Sequence, residues 1–113
     1  MTIQTLPLAA AALPMDFGGC EFATFQARAG VTAEQIATAA ARMRDGYLRH
    51  APGFRGHRLL QGQGGQWADV VLATTQAEAE RICAGFMDHA VCRDYLALMV
   101  PGSAHLGFWS RVA

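Results

Sequence analysis

The sequence predicts an α+β fold in which a four-stranded antiparallel sheet carries two helices on one face. Three observations lead to this prediction: the elements follow the order β-α-β-β-α-β, each helix begins at an N-capping signal, and the third strand is apolar on both sides. Because each helix returns the chain by a right-handed crossover, both helices lie on the same face of the sheet. The 113 residues suffice for one such domain.

The first strand and the first helix are marked by aromatic residues and by a capping box. CEFATFQAR, residues 20–28, combines aromatic and small residues without a helical period and lies between glycines, which predicts a strand. In the following VTAEQIATAAARMRDGYLRHAPG, Thr32 and Gln35 have the spacing at which a hydroxyl and an amide satisfy free N–H groups at a helix start. Apolar residues then recur every three or four positions, and Pro52 with Gly53 ends the helix.

The second half of the chain predicts a hairpin, a helix and a last strand. FRGHRLLQ and QWADVVLAT are separated by GQGG, and glycine tolerates the positive φ of a tight hairpin turn. Thr75 and Glu78 repeat the capping spacing and start a helix that continues through QAEAERICAGFMDH. SAHLGFWSRV, which follows the breaker Pro101-Gly102, is the fourth strand. This order is the split-βαβ, or ferredoxin-like, arrangement.

The third strand indicates that the helix-free face of the sheet is also covered. Its two sides are both largely apolar, with one alternating set on each side: Trp67, Asp69, Val71 and Ala73 against Ala68, Val70, Leu72 and Thr74. A sheet with one face in water alternates apolar and polar residues instead. Each large apolar side chain contributes about 1.5 to 3 kcal/mol when it is buried. We therefore predict a homodimer formed by sheet-to-sheet packing.

Composition and charge exclude several classes of partner. The formal net charge is zero and the arginines are scattered, so the chain has no basic patch for nucleic acid. No apolar stretch approaches the roughly 20 residues needed to cross a bilayer. The three cysteines have neither disulfide-framework nor zinc-site spacing, which favours a reducing cytoplasm.

Residues 1–19 are predicted to be a flexible, alanine-rich extension, and residues 20–113 the folded domain. The opening LPLAAAALPMDFGGC is apolar enough to suggest a secretion signal. It has no Lys or Arg before the apolar run, however, and Pro7 and Pro14 interrupt it. We therefore expect the extension to stay on a cytoplasmic protein.

Three segments carry a resemblance to a known superfamily: HAPGFRGHRLL, GGQWADVVLATTQAEAE and FMDHAVCRDYLALMVPGS. With them, residues 20–113 resemble the dimeric α+β barrel superfamily, which includes antibiotic biosynthesis monooxygenases and heme-degrading monooxygenases. Similar members carry FM-x-HP-x-C-x-x-F-x-x-L, in which a proline after the histidine breaks the helix. This sequence has Ala90 at that proline position.

The resemblance implies a ferredoxin-like protomer, a dimer of two facing sheets and a ligand cavity between the helices and the sheet. In the monooxygenase members a polycyclic aromatic substrate reacts with oxygen without metal or flavin. Heme-degrading members have a histidine in the second helix region, a tryptophan late in the third strand and an asparagine on the first strand. The first two positions align with Leu96 and Ala73, and the chain has no asparagine. Heme degradation is therefore disfavoured.

Four candidate residues lie near the end of the second predicted helix. On a continuous helix, His89 and Cys92 would share a side with Phe86 and could face the cavity. His89 could then accept a proton from a phenolic substrate, although a histidine at a helix end can also simply cap carbonyls. Cys92 is more typical of an inert buried cysteine. Tyr95 could line the cavity with its hydroxyl or belong to the core.

Three further candidates lie on strands. Trp67 and Trp109 could stack on a flat ligand, but aromatic residues on strands more often serve packing or interfaces. Asp69 is a charge within an apolar strand, and a buried carboxylate needs a partner. Arg58 on the neighbouring strand is the expected partner, and His57 is expected at the rim of the sheet or at an interface.

These residues support two functions from different classes. The first is a cofactor-independent, monooxygenase-like enzyme acting on a small aromatic substrate, with His89 and Tyr95 catalytic and Trp67, Phe86, Cys92, Trp109 and Asp69 around the ligand. The alternative is a non-catalytic dimer that binds a small hydrophobic ligand, with heme binding through His89 as a third possibility. His89, Cys92 and Asp88 do not share one helix side, so no metal site is expected, and no cofactor is predicted.

Overall fold

The computed structural model describes residues 16–113 and confirms the predicted fold class. Most of the predicted extension, residues 1–15, lies outside the described residues. Four strands and three helices form the domain: β1 Gly19–Gln26, α1 Ala33–Gly46, β2 Phe54–Gln61, β3 Gln66–Ala73, α2 Gln76–Ala84, α3 Ala90–Leu96 and β4 His105–Ser110. Two 3-10 turns, Leu48–His50 and Phe86–Asp88, follow α1 and α2. Within this part of the chain, no helix is both long and apolar enough to cross a lipid bilayer.

The sheet is antiparallel throughout, with the strand order β2-β3-β1-β4. β1 lies in the centre, where Glu21 is paired with Val71 of β3 and Phe108 of β4. Ala23 is likewise paired with Asp69. Paired residues point to the same side of a sheet. One face therefore presents Glu21, Ala23, Asp69 and their neighbours to the helices.

Both helix starts use the predicted threonines. The Thr32 hydroxyl accepts a hydrogen bond from Gln35 N–H at 3.1 Å, and the Gln35 side chain accepts one from Thr32 N–H at 2.8 Å, so the capping box is complete. The Thr75 hydroxyl accepts from Glu78 N–H at 3.1 Å. These bonds satisfy N–H groups that have no partner within the helix, and they fix where α1 and α2 begin.

The second predicted helix is interrupted, so that prediction was wrong between Gly85 and His89. α2 ends at Ala84, and α3 begins only after His89, whose backbone is extended at φ −115° and ψ 135°. The Tyr47 hydroxyl donates to the Ile82 carbonyl, which Phe86 N–H would use if α2 continued. Tyr47 thus replaces the helical donor, and the helix breaks without a proline at position 90.

The helix-facing side of the sheet holds the core. Ile36, Ala40 and Met43 of α1 are buried, together with Cys92 and Tyr95 of α3. Phe25 of β1 meets Tyr95 edge to face with ring centroids 5.9 Å apart. Aromatic pairs in this geometry contribute about 0.5 to 1.5 kcal/mol beyond the burial of their area.

The helix-free face of the sheet, which includes Phe22, Leu60, Val70, Leu72 and Trp109, is apolar and uncovered in the single chain. Phe22 is 40% exposed, Leu60 50% and Trp109 62%. Val70 and Leu72 lie between them on β3 and are only partly buried. Exposed apolar residues that adjoin one another in this way are typical of an interaction surface.

Candidate functional site

A cavity of about 210 Å³ lies between the helices and the sheet. Its walls are contributed by three strands, all three helices and the two 3-10 turns, and most of them are apolar. The lining residues include Ala23, Phe25, Met43, Leu48, Val71, Phe86, Leu96 and Met99. Within residues 16–113, four lining side chains carry an ionisable group: Glu21, Asp69, Cys83 and Tyr95. An apolar pocket with a few convergent polar groups is the usual form of a small-molecule site.

The cavity opens to solvent beside the Phe86–Asp88 turn. Met87 of this turn is 57% exposed and Leu106 at the start of β4 is 49% exposed, yet both also line the cavity. They therefore form its rim. The interruption of the second predicted helix creates this arrangement, because the turn directs Phe86 into the cavity while Met87 stays at the surface.

Asp69 is the centre of a buried hydrogen-bonded network. The Tyr95 hydroxyl donates to Asp69 Oδ2 at 2.6 Å, and His57 Nε2 lies 2.9 Å from the same oxygen. Asp69 and His57 are 8% and 5% exposed, and Tyr95 is 2% exposed. Two donors on one carboxylate oxygen offset the cost of burying its charge. This arrangement holds the Tyr95 ring in a fixed position at the cavity wall.

The predicted Arg58 partner of Asp69 was wrong, and so was the predicted position of His57 at a rim. In β2, His57 is paired with Val71 and Arg58 with Val70, so the two residues point to opposite faces. The Arg58 guanidinium donates instead to the His57 carbonyl at 2.8 Å. A register irregularity between Phe54 and Gly56 sets which residues of β2 point inward.

The network keeps its protons at defined atoms. Burial raises the pKa of Tyr95 above its ordinary value, and the charge of Asp69 and the hydrogen bond to it raise it further, so the hydroxyl remains a donor. Among residues 16–113, no group hydrogen-bonds His57 Nδ1, which is buried. A carboxylate oxygen only accepts, so the other ring nitrogen, Nε2, is the one that donates to Asp69.

Glu21 is a lining residue that the sequence analysis did not single out. It lies on the helix-facing side of β1, and its pair with Val71 is two positions along the strands from the Ala23–Asp69 pair. Burial raises the pKa of Glu21, and the negative charge of Asp69 raises it further, to about 7. The neighbouring Cys83 thiol and His57 act in the opposite direction and lower the pKa. The sequence did contain a signal for it. Glu21 is a charged residue on the same side of a strand as Ala23 and Phe25, just as Asp69 is a charge within an apolar strand.

The structure brings together some of the predicted site residues and separates others. Tyr95, Phe86 and Asp69 line the cavity. Trp67 and Cys92 are buried in the core, at 7% and 0% exposure, without lining it. Trp109 lies on the helix-free face of the sheet, where its position in β4 is paired with Cys20. The ligand-binding roles predicted for these residues stay predictions.

His89 lies in a different place from Tyr95. It is exposed and lines a surface cleft of about 320 Å³ together with His50 and Arg81. Its ring is 4.5 Å from that of Tyr47. The interruption of the helix at His89 causes this placement, since the side shared with Phe86 on a continuous helix no longer exists. A catalytic role for His89 stays a prediction that requires substrate in this cleft.

No known protein-family profile and no curated protein matches the sequence. Solved structures do match. SnoaB, a cofactor-independent oxygenase from Streptomyces nogalater, is 22% identical with a TM-score of 0.60, over 85% of this chain and 95% of that one. The ActVA-Orf6 monooxygenase of Streptomyces coelicolor, solved with Nanaomycin D, is 15% identical with a TM-score of 0.66, over 86% and 89%. PA3566 from Pseudomonas aeruginosa is 15% identical with a TM-score of 0.59, over 88% and 99%.

A further match is described as a putative antibiotic biosynthesis monooxygenase from Nitrosomonas europaea, 14% identical with a TM-score of 0.62, over 84% of this chain and 99% of that one. The chain shares the ferredoxin-like fold of these neighbours. The predicted resemblance is thereby confirmed at the level of architecture. The alignments cover most of both chains, so the similarity extends over most of the fold.

Proposed function

We propose that this protein is a cofactor-independent, monooxygenase-like enzyme that acts on a small aromatic compound in the cavity between the helices and the sheet. The cavity carries the proposal: its walls are mostly apolar, they include the rings of Phe25, Phe86 and Tyr95, and the Tyr95 hydroxyl is bonded to Asp69 in the same wall. The shared fold with SnoaB, itself a cofactor-independent oxygenase, supports the same reading. Fold alone does not define chemistry, so the proposal depends on the site.

The size of the cavity restricts the substrate. Apolar cavities of about 150 Å³ bind benzene, and this one has about 210 Å³. Pockets for drug-sized ligands measure roughly 300 to 1,000 Å³. A compound of one or two aromatic rings therefore fits, whereas heme would require the walls to move apart. Heme binding through His89 would use the surface cleft and not this cavity.

Two lining residues have roles that follow from their geometry. Phe86 and the Tyr95 ring present aromatic surface to a flat ligand. Asp69 and His57 fix Tyr95, so the cavity is shaped before the ligand arrives and little ordering is needed on binding. Such preorganisation lets a substrate be held in one orientation while oxygen reaches it.

A non-catalytic ligand-binding protein is the alternative, and one observation favours it. The Tyr95 hydroxyl and His57 Nε2 are both already committed to Asp69. Neither is free to donate to a bound molecule without breaking the network. A cavity whose polar groups only stabilise the fold would bind an apolar compound without transforming it.

We also propose that two copies associate through the helix-free face of the sheet. Phe22, Leu60 and Trp109 are the exposed apolar residues that a second sheet would cover. The residues of β1 on this face, Cys20, Phe22, Thr24 and Gln26, are uncharged, so packing against them buries no charge of β1. Arg58 of β2, whose partner Val70 is also the partner of Phe22, brings one positive charge to the same face. Each protomer keeps its own cavity, because the cavity opens on the opposite side of the sheet.

Oxygen consumption with a panel of small aromatic substrates, including quinols and anthrone-type ketones, tests the enzyme proposal. Ala23→Leu fills the cavity and is expected to abolish both ligand binding and oxygen consumption. Ala37→Leu, at an exposed position of α1, adds the same volume outside the cavity and is expected to change neither. Saturable binding that Ala23→Leu removes, without oxygen consumption by the unmodified protein, would favour the binding protein instead. A Soret shift on adding hemin that His89→Ala abolishes would support heme binding.

A further inference from the structure

Glu21 differs from the other carboxyl group of the cavity in its polar neighbours. Asp69 receives two hydrogen bonds, from Tyr95 and from His57. Glu21 faces the Cys83 thiol, which is a weak donor, and this neighbour lowers the pKa of the carboxyl only in part against the effect of burial. Among residues 16–113, no arginine or histidine forms an ion pair with Glu21. The fold thus leaves one carboxyl group facing an apolar cavity without an ion-pair partner in the described part of the chain.

An unneutralised carboxylate in apolar surroundings is costly, so the group takes up a proton more readily than in water. Burial accordingly raises the pKa of Glu21 to about 7. Near neutral pH the carboxyl exists in both forms and exchanges its proton without a large change in free energy. That property suits a group that accepts a proton from a bound molecule and later releases it.

The ionisable groups around Glu21 leave it as the available acceptor. Four ionisable groups face it: Asp69 from β3, His57 from β2, Cys83 from α2 and Tyr95 from α3. The residue paired with Glu21 in β4 is Phe108, which has no ionisable group. Asp69 is already occupied by two donors. Burial and the charge of Glu21 raise the pKa of Cys83 to about 11, so the thiol stays protonated and serves as a donor. More distant, Tyr47 remains a protonated hydroxyl bonded to Ile82.

We propose that Glu21 is the proton acceptor of this cavity and that its substrate is an aromatic compound with an acidic C–H or O–H group. The proposal rests on the proposed function and adds to it the acceptor and the substrate class. In the step, the C–H or O–H bond of the substrate breaks and its electron pair stays on the substrate as an enolate or phenolate. The proton moves to a carboxylate oxygen of Glu21. This step needs no oxidant, and the resulting electron-rich anion is what would then meet oxygen.

Anaerobic deuterium exchange tests this assignment without depending on oxygen chemistry. The probe is 2-tetralone, a two-ring aromatic ketone of suitable size whose C–H beside both ring and carbonyl is acidic, followed by proton NMR in D₂O. Binding is measured in the same samples from the probe's chemical shifts. We expect the protein to accelerate exchange, with a rate that rises with pH and levels off above about 7. Glu21→Gln is expected to slow exchange by about 10² to 10⁴-fold while changing affinity far less.

Two further variants identify the acceptor. Glu34→Gln, an exposed glutamate in the first turn of α1, is the matched control and is expected to exchange like the unmodified protein. His89→Gln tests the rival acceptor in the surface cleft. Loss of exchange in His89→Gln with retention in Glu21→Gln would overturn the proposal. A bound probe that the unmodified protein does not exchange would also overturn it, and so would failure to bind the probe.

The failure of this proposal is distinguishable from failure of the proposed function. Exchange that depends on Glu21, without oxygen consumption by any substrate of the panel, would refute the oxygenase and leave the acceptor in place. Oxygen consumption that persists in Glu21→Gln would refute the acceptor and leave the oxygenase in place.

Discussion

Glu21→Gln should make the protein more stable, and more so at alkaline than at acidic pH. The folded-state pKa of Glu21, about 7, lies above its ordinary value of 4.5. Between these values the folded protein holds a proton that the unfolded chain has released, so stability falls as pH rises through that window. Glutamine fills nearly the same space and does not ionise. The variant therefore avoids this loss.

The magnitude follows from the size of the shift. One pKa unit corresponds to about 1.4 kcal/mol, and between pH 5 and pH 8 the ionisation of Glu21 costs on the order of 2 to 3 kcal/mol of folding stability. Water at the cavity mouth screens part of this cost. We expect the advantage of Glu21→Gln over the unmodified protein to be larger at pH 8 than at pH 5 by about 1 to 2.5 kcal/mol.

Urea unfolding of both proteins at pH 5 and pH 8 measures this difference. Protein concentration must be equal in all samples, because association of two copies would add to apparent stability. Glu34→Gln again serves as the control for removing an exposed carboxylate. Equal effects of Glu21→Gln at the two pH values would show that the Glu21 carboxyl is well solvated, and the argument for an unneutralised group in the cavity would fail.

Three other perturbations test the network, the helix-free face and a close contact. Tyr95→Phe removes the donor to Asp69, and urea unfolding should show a loss of about 1.5 to 3 kcal/mol; no loss would mean that His57 alone satisfies the carboxylate. Phe22→Glu should yield a monomer in sedimentation equilibrium, whereas Val100→Glu, similarly exposed at 38% against 40%, should leave the dimer intact; equal behaviour would argue against sheet-to-sheet association. Gly19→Ala should prevent folding, since a Cβ there would lie 2.1 Å from Gln76 N; a normal circular dichroism melt would contradict this close packing.

Local signals made the architecture predictable from the sequence. The threonine caps at Thr32 and Thr75 are bonds between residues three apart, so sequence spacing alone reveals them. The interruption before α3 was not predictable in the same way. It depends on Tyr47, 35 residues earlier, which reaches the carbonyl of Ile82 across the core. No neighbouring residue encodes that contact.

The site was less predictable, because it depends on which alternate residues of each strand point towards the helices. The sequence identified Asp69 as a charge that needs a partner, and Tyr95 as a residue with a hydroxyl to place. It gave the wrong partner, since one irregularity near Gly56 determines whether His57 or Arg58 points inward. Glu21 went unnoticed because its surroundings are assembled from three strands and two helices that lie far apart in sequence.

The sheet is a single layer, and this has a consequence for how β1 can be dissected. Glu21 and Phe22 are consecutive in sequence, yet one side chain enters the ligand cavity and the other projects from the uncovered surface. Substitutions at successive residues of β1 should therefore affect two different properties in alternation. Odd-numbered positions from 21 to 25 should change what the protein binds, and even-numbered positions from 20 to 24 should change how many copies assemble. The two properties would then be separable by engineering within one strand.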